Sequence, residues 1–345
     1  MDLMDPSLRY NLRGRIILIV LTTFLFLDFV AVGLRVYAKR LMRKSMQLND
    51  WALIISLLLV TALYCIEIAV VLRGGLGLHV EWILLNKGMP TLMLAGKLVF
   101  AADIVWNLSL MAIKISILHL YLTLFGTVMT KFRHAVYATI ALVVVSGTAF
   151  IIQMFALCRP LAFFWDKMIV GGKCSDERLA YLIPNIINIV IDFLIFGLPM
   201  PLFWGLKVST RKKIGACVVF SIGLSICILA AVRVKYILEL DFNDFTYSLY
   251  LFSILGIMEP MLAIISACLP ILPPVFAKCK ARILGRSPTS THKSSMPSSS
   301  GHSKSLNSAQ KSPNAIHIRS DAFDDLEHPL IELQVTGKSN DTLPV

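Results

Sequence analysis

The stretch Ile16–Ala38, IILIVLTTFLFLDFVAVGLRVYA, decides the fold. As a helix rising 1.5 Å per residue it is about 34 Å long, enough to cross the ~30 Å hydrocarbon core of a bilayer. It is too long for the apolar segment of a signal peptide and has no small-x-small cleavage site, so it reads as a first membrane span. Six more runs of this kind follow, giving candidate spans 16–38, 51–72, 97–124, 135–157, 179–206, 214–236 and 246–276. The period-2 alternation of a membrane β-barrel is absent. Lipid offers no partner for backbone N–H and C=O groups, so each run must cross as a helix. Pro184, Pro199, Pro201, Pro260 and Pro270 fall inside these runs and predict kinks that neighbouring helices accommodate. The fold class is an all-α membrane protein, a seven-helix bundle.

Composition agrees. The 345 residues are 57% hydrophobic and 16% charged, where a soluble chain carries roughly a quarter charged residues. The net charge of +12 does not imply nucleic acid, because the basic residues sit in short loops between spans. Segment 39–50 carries Lys39, Arg40, Arg43 and Lys44; segment 125–134 adds Lys131 and Arg133; segment 207–213 adds Lys207, Arg211, Lys212 and Lys213; Lys278, Lys280, Arg282 and Arg286 follow the last span. The other side has fewer basic residues over longer stretches, and loop 237–245 carries Glu239, Asp241 and Asp244. The positive-inside rule then predicts an outside amino terminus and a cytoplasmic tail. Arg233 and Lys235, near the outer end of span six, run against that count and are expected to snorkel to the interface. Domains follow: a short extracellular segment 1–15, the membrane domain 16–276, and a basic juxtamembrane segment with a Ser-rich cytoplasmic tail over 277–345. That tail lacks apolar periodicity and reads as disordered. A multi-pass protein of the plasma membrane is the expected localisation.

Ionisable residues inside spans are costly and tend to face the bundle interior, which makes them the first candidates for function. Span three carries Asp103, Asn107 and Lys114, separated by four and seven residues and so on one helical face. Asn185, Asn188 and Asp192 form the same kind of stripe on span five, while Asp28, Glu67 and Glu259 come from spans one, two and seven. A buried Lys114 requires a carboxylate partner, and both Asp192 and Glu259 are eligible. The bland alternative is that these groups only join helices, at ~0.6–2 kcal/mol per hydrogen bond.

Among the seven cysteines, Cys65, Cys217, Cys227 and Cys268 lie in apolar runs as packing residues, and Cys279 is juxtamembrane. Cys158 and Cys174 share one loop on the predicted oxidising side, a disulfide worth about 3 kcal/mol. Phe164 and Trp165 between them are placed to cap the bundle mouth. Gly74-Gly75-Leu76-Gly77-Leu78-His79 needs its glycines for a tight reversal after span two. It leaves His79 at the outer interface, where a lone histidine more often makes a structural hydrogen bond than serves as a ligand. No phosphate loop, H-E-x-x-H, C-x-x-C or G-x-S-x-G motif is present, so no cofactor or metal is expected and catalytic residues are not assigned.

The chain resembles a known family, the fungal rhodopsin-domain integral membrane proteins related to Pth-eleven-type receptors, over roughly residues 30–276. The likeness rests on Arg35 and Asp50, Gly75-Leu-Gly77-Leu-His79, Lys114-Ile-Ser116-Ile-Leu and Cys158-Arg-Pro160. Phe164-Trp165-Asp166, Gly172-Lys-Cys174, Asn188-Ile-Val-Ile-Asp192 and Leu198-Pro-Met-Pro201 continue it, with Lys212-Lys213, Arg233, Glu259 and Ala267-Cys-Leu-Pro270. The resemblance implies seven spans and an outside amino terminus. Some members resemble G-protein-coupled receptors, others are encoded beside secondary-metabolite genes. Receptor members often carry a cysteine-rich segment before span one; here about 15 residues precede it, none of them cysteine. Retinal binding is not implied, since a Schiff base needs a lysine within the last span and 246–276 has none.

The leading expectation is a receptor-like sensor of a small molecule, with its basic inner loops meeting anionic lipid or a cytoplasmic signalling partner. The alternatives are a membrane-embedded tailoring enzyme using Asp103, Asp192 or Glu259 as a general acid, and a transporter built on Lys114. The odd span number and lack of an inverted repeat disfavour the transporter.

Overall fold

The computed structural model describes residues 11–43, 45–125, 130–200, 210–239 and 244–271. Among these residues, seven helices are long and apolar enough to cross a membrane. They are α1 Leu12–Leu41, α2 Leu48–Ala69, α3 Met89–Phe125, α4 Thr130–Ala156, α5 Glu177–Gly197, α6 Thr210–Leu238 and α7 Phe245–Cys268. The seven spans expected from the sequence are all present. The basic stretch at 207–209, Cys279, the basic residues from Lys278 onward and the Ser-rich tail lie outside the described residues.

Local chemistry sets three of the helix starts. The Asn11 side chain accepts the Gly14 N–H at 2.8 Å to start α1, and the Asp50 carboxylate accepts the Gln47 N–H at 2.8 Å at the start of α2. Asp176 accepts from the Arg178 and Leu179 N–H groups at the start of α5. Helix α3 begins earlier than expected, at Met89 instead of 97. Pro90 stands in its first turn, where a missing N–H costs nothing. At 37 residues this helix is about 55 Å long, more than a bilayer core requires. Helix α5 ends at Gly197, just before Leu198-Pro199; residues 201–206 of the expected span lie outside the described residues. Pro184 and Pro260 lie inside α5 and α7.

The helices pack as a closed ring in sequence order, α1 also meeting α7, and α7 reaches across to α2 and α3. Two helices are therefore central. Over their most apolar windows α7 is 61% and α3 50% buried, against 28% for α1, α4 and α5. The peripheral helices leave residues such as Phe26, Ile55, Ile152 and Phe193 exposed, which suits a lipid face. Because lipid is as apolar as leucine, this ring is held by close packing and polar contacts between helices.

One end of the bundle carries the loop between α4 and α5. Its strands β1 (Cys158–Arg159) and β2 (Lys173–Cys174) pair antiparallel with Cys158 opposite Cys174, and these two cysteines form the predicted disulfide. Phe164 and Trp165 set their ring edges against Phe100 of α3, with centroids 5.5 and 6.1 Å apart.

The glycine-rich turn lies at this same end. Helix α2 runs on through a π-helical turn, Val70–Gly74, and a short helix Val80–Asn86 follows the reversal. Gly75 and Gly77 have φ of 75° and 91°, a region open chiefly to glycine. The Gly77 N–H donates to the Thr246 carbonyl (3.0 Å), the Thr246 hydroxyl to the Leu78 carbonyl (2.7 Å) and Asn11 Nδ2 to the Leu76 carbonyl (2.7 Å). A Cβ on Gly77 would lie 2.8 Å from Asn11 Oδ1. The turn is thus clamped between the starts of α1 and α7.

At the opposite end, buried Arg35 of α1 donates from Nε to Asp50 of α2 at 3.1 Å and from Nη1 to the Ala267 carbonyl of α7 at 2.6 Å. Lys39 also donates to Asp50. Three helices are fastened there by one carboxylate and two cations.

Candidate functional site

The site is built from four helices around Lys114. On α3, Lys114 Nζ lies 2.9 Å from Asp192 Oδ1 and donates to Asn188 Oδ1 at 2.5 Å, both on α5. The pairing left open by the sequence is therefore with Asp192 directly. Glu259 joins one step removed: Asn188 Nδ2 donates to its Oε1 at 2.5 Å. The other Glu259 oxygen lies 3.5 Å from Arg233 Nη1 of α6. Lys114, Asp192, Glu259 and Arg233 are all buried. A continuous polar chain thus runs from α3 through α5 and α7 to α6.

Arg233 is held by rings as well as by charge. Its guanidinium carbon lies 4.1 Å from the Trp106 ring centroid and 4.2 Å from that of Phe252, so a cation–π contact is present on both. The Trp106 Nε1–H donates to the Gly256 carbonyl at 2.9 Å. Gly256 suits this approach, since a Cβ there would come within 3.1 Å of the Arg233 guanidinium carbon and press the side chain aside.

Arg233 and Trp106 also line a small pocket of about 40 Å³ towards the disulfide end, together with Glu67, Asp103 and Ser253. The rest of its wall is mainly apolar, including Leu63, Leu76, Val99 and Leu249. Each acid is held by a hydroxyl: Ser253 donates to Glu67 Oε1 at 2.5 Å and Tyr181 donates to Asp103 Oδ2 at 2.8 Å. Among the described residues nothing donates to the second oxygen of either acid. The mix of apolar wall and convergent polar groups is that of a small-molecule site, but at this volume the space admits only a molecule of about two or three heavy atoms.

The other candidates fall elsewhere. Asn107 donates to the Gly147 carbonyl of α4 at 3.0 Å, so the polar face of α3 serves two neighbours. Asn185 donates to the Tyr181 carbonyl within its own helix at 2.7 Å. Asp28 is fully buried on α1 and neither of its oxygens accepts a hydrogen bond. His79 is exposed and pairs with Asp244, whose other oxygen accepts the Val80 N–H at 2.9 Å. Its ring stacks on Tyr247, centroids 3.9 Å apart. Trp165 lies against Phe100, not in the pocket wall. Cys158, Cys174 and Glu177 come together, but both sulfurs belong to the disulfide and offer no thiolate to a metal.

The expectation that Arg233 snorkels is overturned: it turns inward, while Lys235 is exposed and pairs with Glu239 at 3.6 Å. The signal was readable. Ile226, Ala230, Arg233 and Ile237 are spaced four, three and four apart and are all buried, so the arginine lies on the inward stripe of α6. Tyr181 and Ser253 carried no such signal, because hydroxyls in apolar helices often bond only to their own backbone.

Residues 34–278 match the family model described as the fungal rhodopsin domain. A SAT4 family membrane protein of Emericella nidulans is 30% identical over 185 residues, 52% of this chain and 46% of that protein. The polyenoic acids biosynthesis gene cluster protein Ba17b of Metarhizium anisopliae is 26% identical over 280 residues, covering 77% of this chain and 75% of the relative. Receptor GIN3 of Arthrobotrys oligospora is 30% identical over 122 residues, 35% of this chain and 29% of that receptor. The chain thus spans only about half, or less, of the length of several curated relatives it matches. No solved structure matches significantly. With most of its length matched by the family model, the chain belongs to the fungal rhodopsin domain family of seven-helix membrane proteins.

Proposed function

We propose that this chain is a receptor-like sensor of the plasma membrane that takes a small molecule into the pocket beneath its disulfide-bearing end. One observation carries the reading: Arg233 belongs both to the pocket wall and to the polar chain joining α3, α5, α6 and α7. A ligand that favours one placement of Arg233 would bias the ion pairs behind it, and with them the packing of four helices. Two features support an outward-facing mouth. The disulfide suits an oxidising compartment, and the basic residues concentrate at the opposite end. The basic inner loops then face anionic lipid or a cytoplasmic partner. A relative named as a receptor is consistent with this reading.

Asp192→Asn tests it. Scored per molecule that reaches the surface, since Lys114 is left without its counter-charge, the variant should lose the transcriptional response of the expressing cells to conditioned medium. An intact response would refute the role of the network.

Relatives named as biosynthesis cluster proteins favour a second reading, a membrane-embedded tailoring enzyme. Here Glu259 or Asp103 would serve as a general acid in a dry pocket. Deletion would then accumulate a pathway precursor, with wild type but not Glu259→Gln restoring product.

A further inference from the structure

The pocket walls carry an unbalanced set of charges. Lys114 is matched by Asp192. Arg233 is the one cation on the wall among the described residues; its Nη1 faces Glu259, and both Nη1 and Nε are sealed from the pocket space without a hydrogen-bond partner. One guanidinium is therefore set against three carboxyl groups: Glu259 behind it, and Glu67 and Asp103 on the pocket side. Glu67 and Asp103 line the same small pocket. Each accepts from one hydroxyl, an arrangement suited to a carboxylate, and each keeps its second oxygen unengaged among the described residues.

Charges in a low-dielectric interior are tolerated when paired and hydrogen-bonded. Two half-satisfied carboxylates around one apolar pocket therefore describe the complement of a particular ligand end. It must be positively charged, compact and able to donate to at least two acceptors at once. A primary ammonium has three N–H donors and forms short charge-assisted bonds to carboxylates. The remaining wall of Leu63, Leu76, Val99 and Leu249, around a cavity of about 40 Å³, suits an apolar body no larger than a methyl group. Arg233 Nε and Nη1 are closed off from the pocket, so at most Nη2 of that guanidinium reaches it, against the two acids on the wall.

We infer that the pocket is a site for a small primary amine, its ammonium bridging Glu67 and Asp103 and its apolar body lying against the leucine and valine wall. This rests on the sensor reading only for its consequence; binding itself is measured separately.

The experiment uses the full chain in lipid nanodiscs, with thermal unfolding followed in the presence of methylamine, methanol, formate or sodium chloride. Methylammonium, small enough for the pocket, should raise the midpoint in wild type. The shift should vanish in Glu67→Gln/Asp103→Asn, and also in Ala102→Leu, which fills the pocket from α3 and leaves both acids in the sequence. Ala102→Leu keeps the test decisive if the double variant fails to fold. The inference is overturned if methanol or formate stabilises as much as the amine, or if sodium alone reproduces the shift. It is equally overturned if the amine shift survives in Ala102→Leu. Absence of an amine shift together with loss of the response in Asp192→Asn sinks this inference and spares the sensor reading. An amine shift with an intact response in Asp192→Asn does the reverse.

Discussion

The two ends of the bundle handle buried carboxylates in opposite ways. At the end away from the disulfide, Asp50 is saturated: it accepts from Arg35, Lys39 and the Gln47 N–H, and Arg35 extends the tie to the Ala267 carbonyl of α7. At the disulfide end, Glu67 and Asp103 each accept from one hydroxyl, with a pocket where further donors would stand. A carboxylate whose acceptor sites are filled by protein fastens helices. One left half-filled beside a cavity is available to something else. The polar chain from Lys114 to Arg233 lies between the two cases and shares a residue with the pocket.

The largest effect should come from breaking the saturated end. Asp50→Asn leaves Arg35 and Lys39 buried without a counter-charge, a loss of about 3–5 kcal/mol. It should appear as a sharp fall in folded yield and unfolding midpoint in nanodiscs; a midpoint near wild type would mean that the cluster is not structural.

Next comes the disulfide. Its loop of 16 residues predicts a loss of about 3 kcal/mol for Cys158→Ser, with wild type behaving like the variant once reduced. Insensitivity to reductant would show that the α4–α5 loop holds without it.

The polar chain should show coupling of intermediate size. In a double-mutant cycle, Arg233→Met and Glu259→Gln should cost less together than the sum of the single changes, with an interaction of about 1–2 kcal/mol. Strict additivity would sever Arg233 from the network and remove the link between pocket and helices.

The smallest change is expected at the unsaturated end. Tyr181→Phe withdraws one hydrogen bond from Asp103, which costs on the order of 1 kcal/mol. A loss as large as that of Asp50→Asn would mean that Asp103 is structural after all.

Much of this comparison was written in the chain, though unevenly. The seven spans follow from the cost of burying unpaired peptide groups, so Ile16–Ala38 and its six counterparts were readable without any partner in view. The stripes of α3 and α5 put Lys114, Asn188 and Asp192 on faces that meet, since helical periodicity fixes which residues share a face. Choosing between Asp192 and Glu259 needed the relative rotation of three helices, which no single-helix pattern contains. Arg233 stands near a span end, yet its register with the buried Ile226, Ala230 and Ile237 turns it inward. Asn107 went to Gly147 of α4 for a similar reason: one face of a central helix touches two neighbours. The hydroxyls of Tyr181 and Ser253 find their acids only through the fold.

The central claim is that saturated carboxylates hold this bundle while half-saturated ones serve its pocket. The most direct measurement is a side-by-side comparison of unfolding midpoints, in identical nanodiscs, of Asp50→Asn and of Glu67→Gln/Asp103→Asn. The account predicts a steep loss for the first, and for the second a midpoint near or above wild type, because removing two poorly compensated charges relieves more than it costs. Equal losses in both would contradict it.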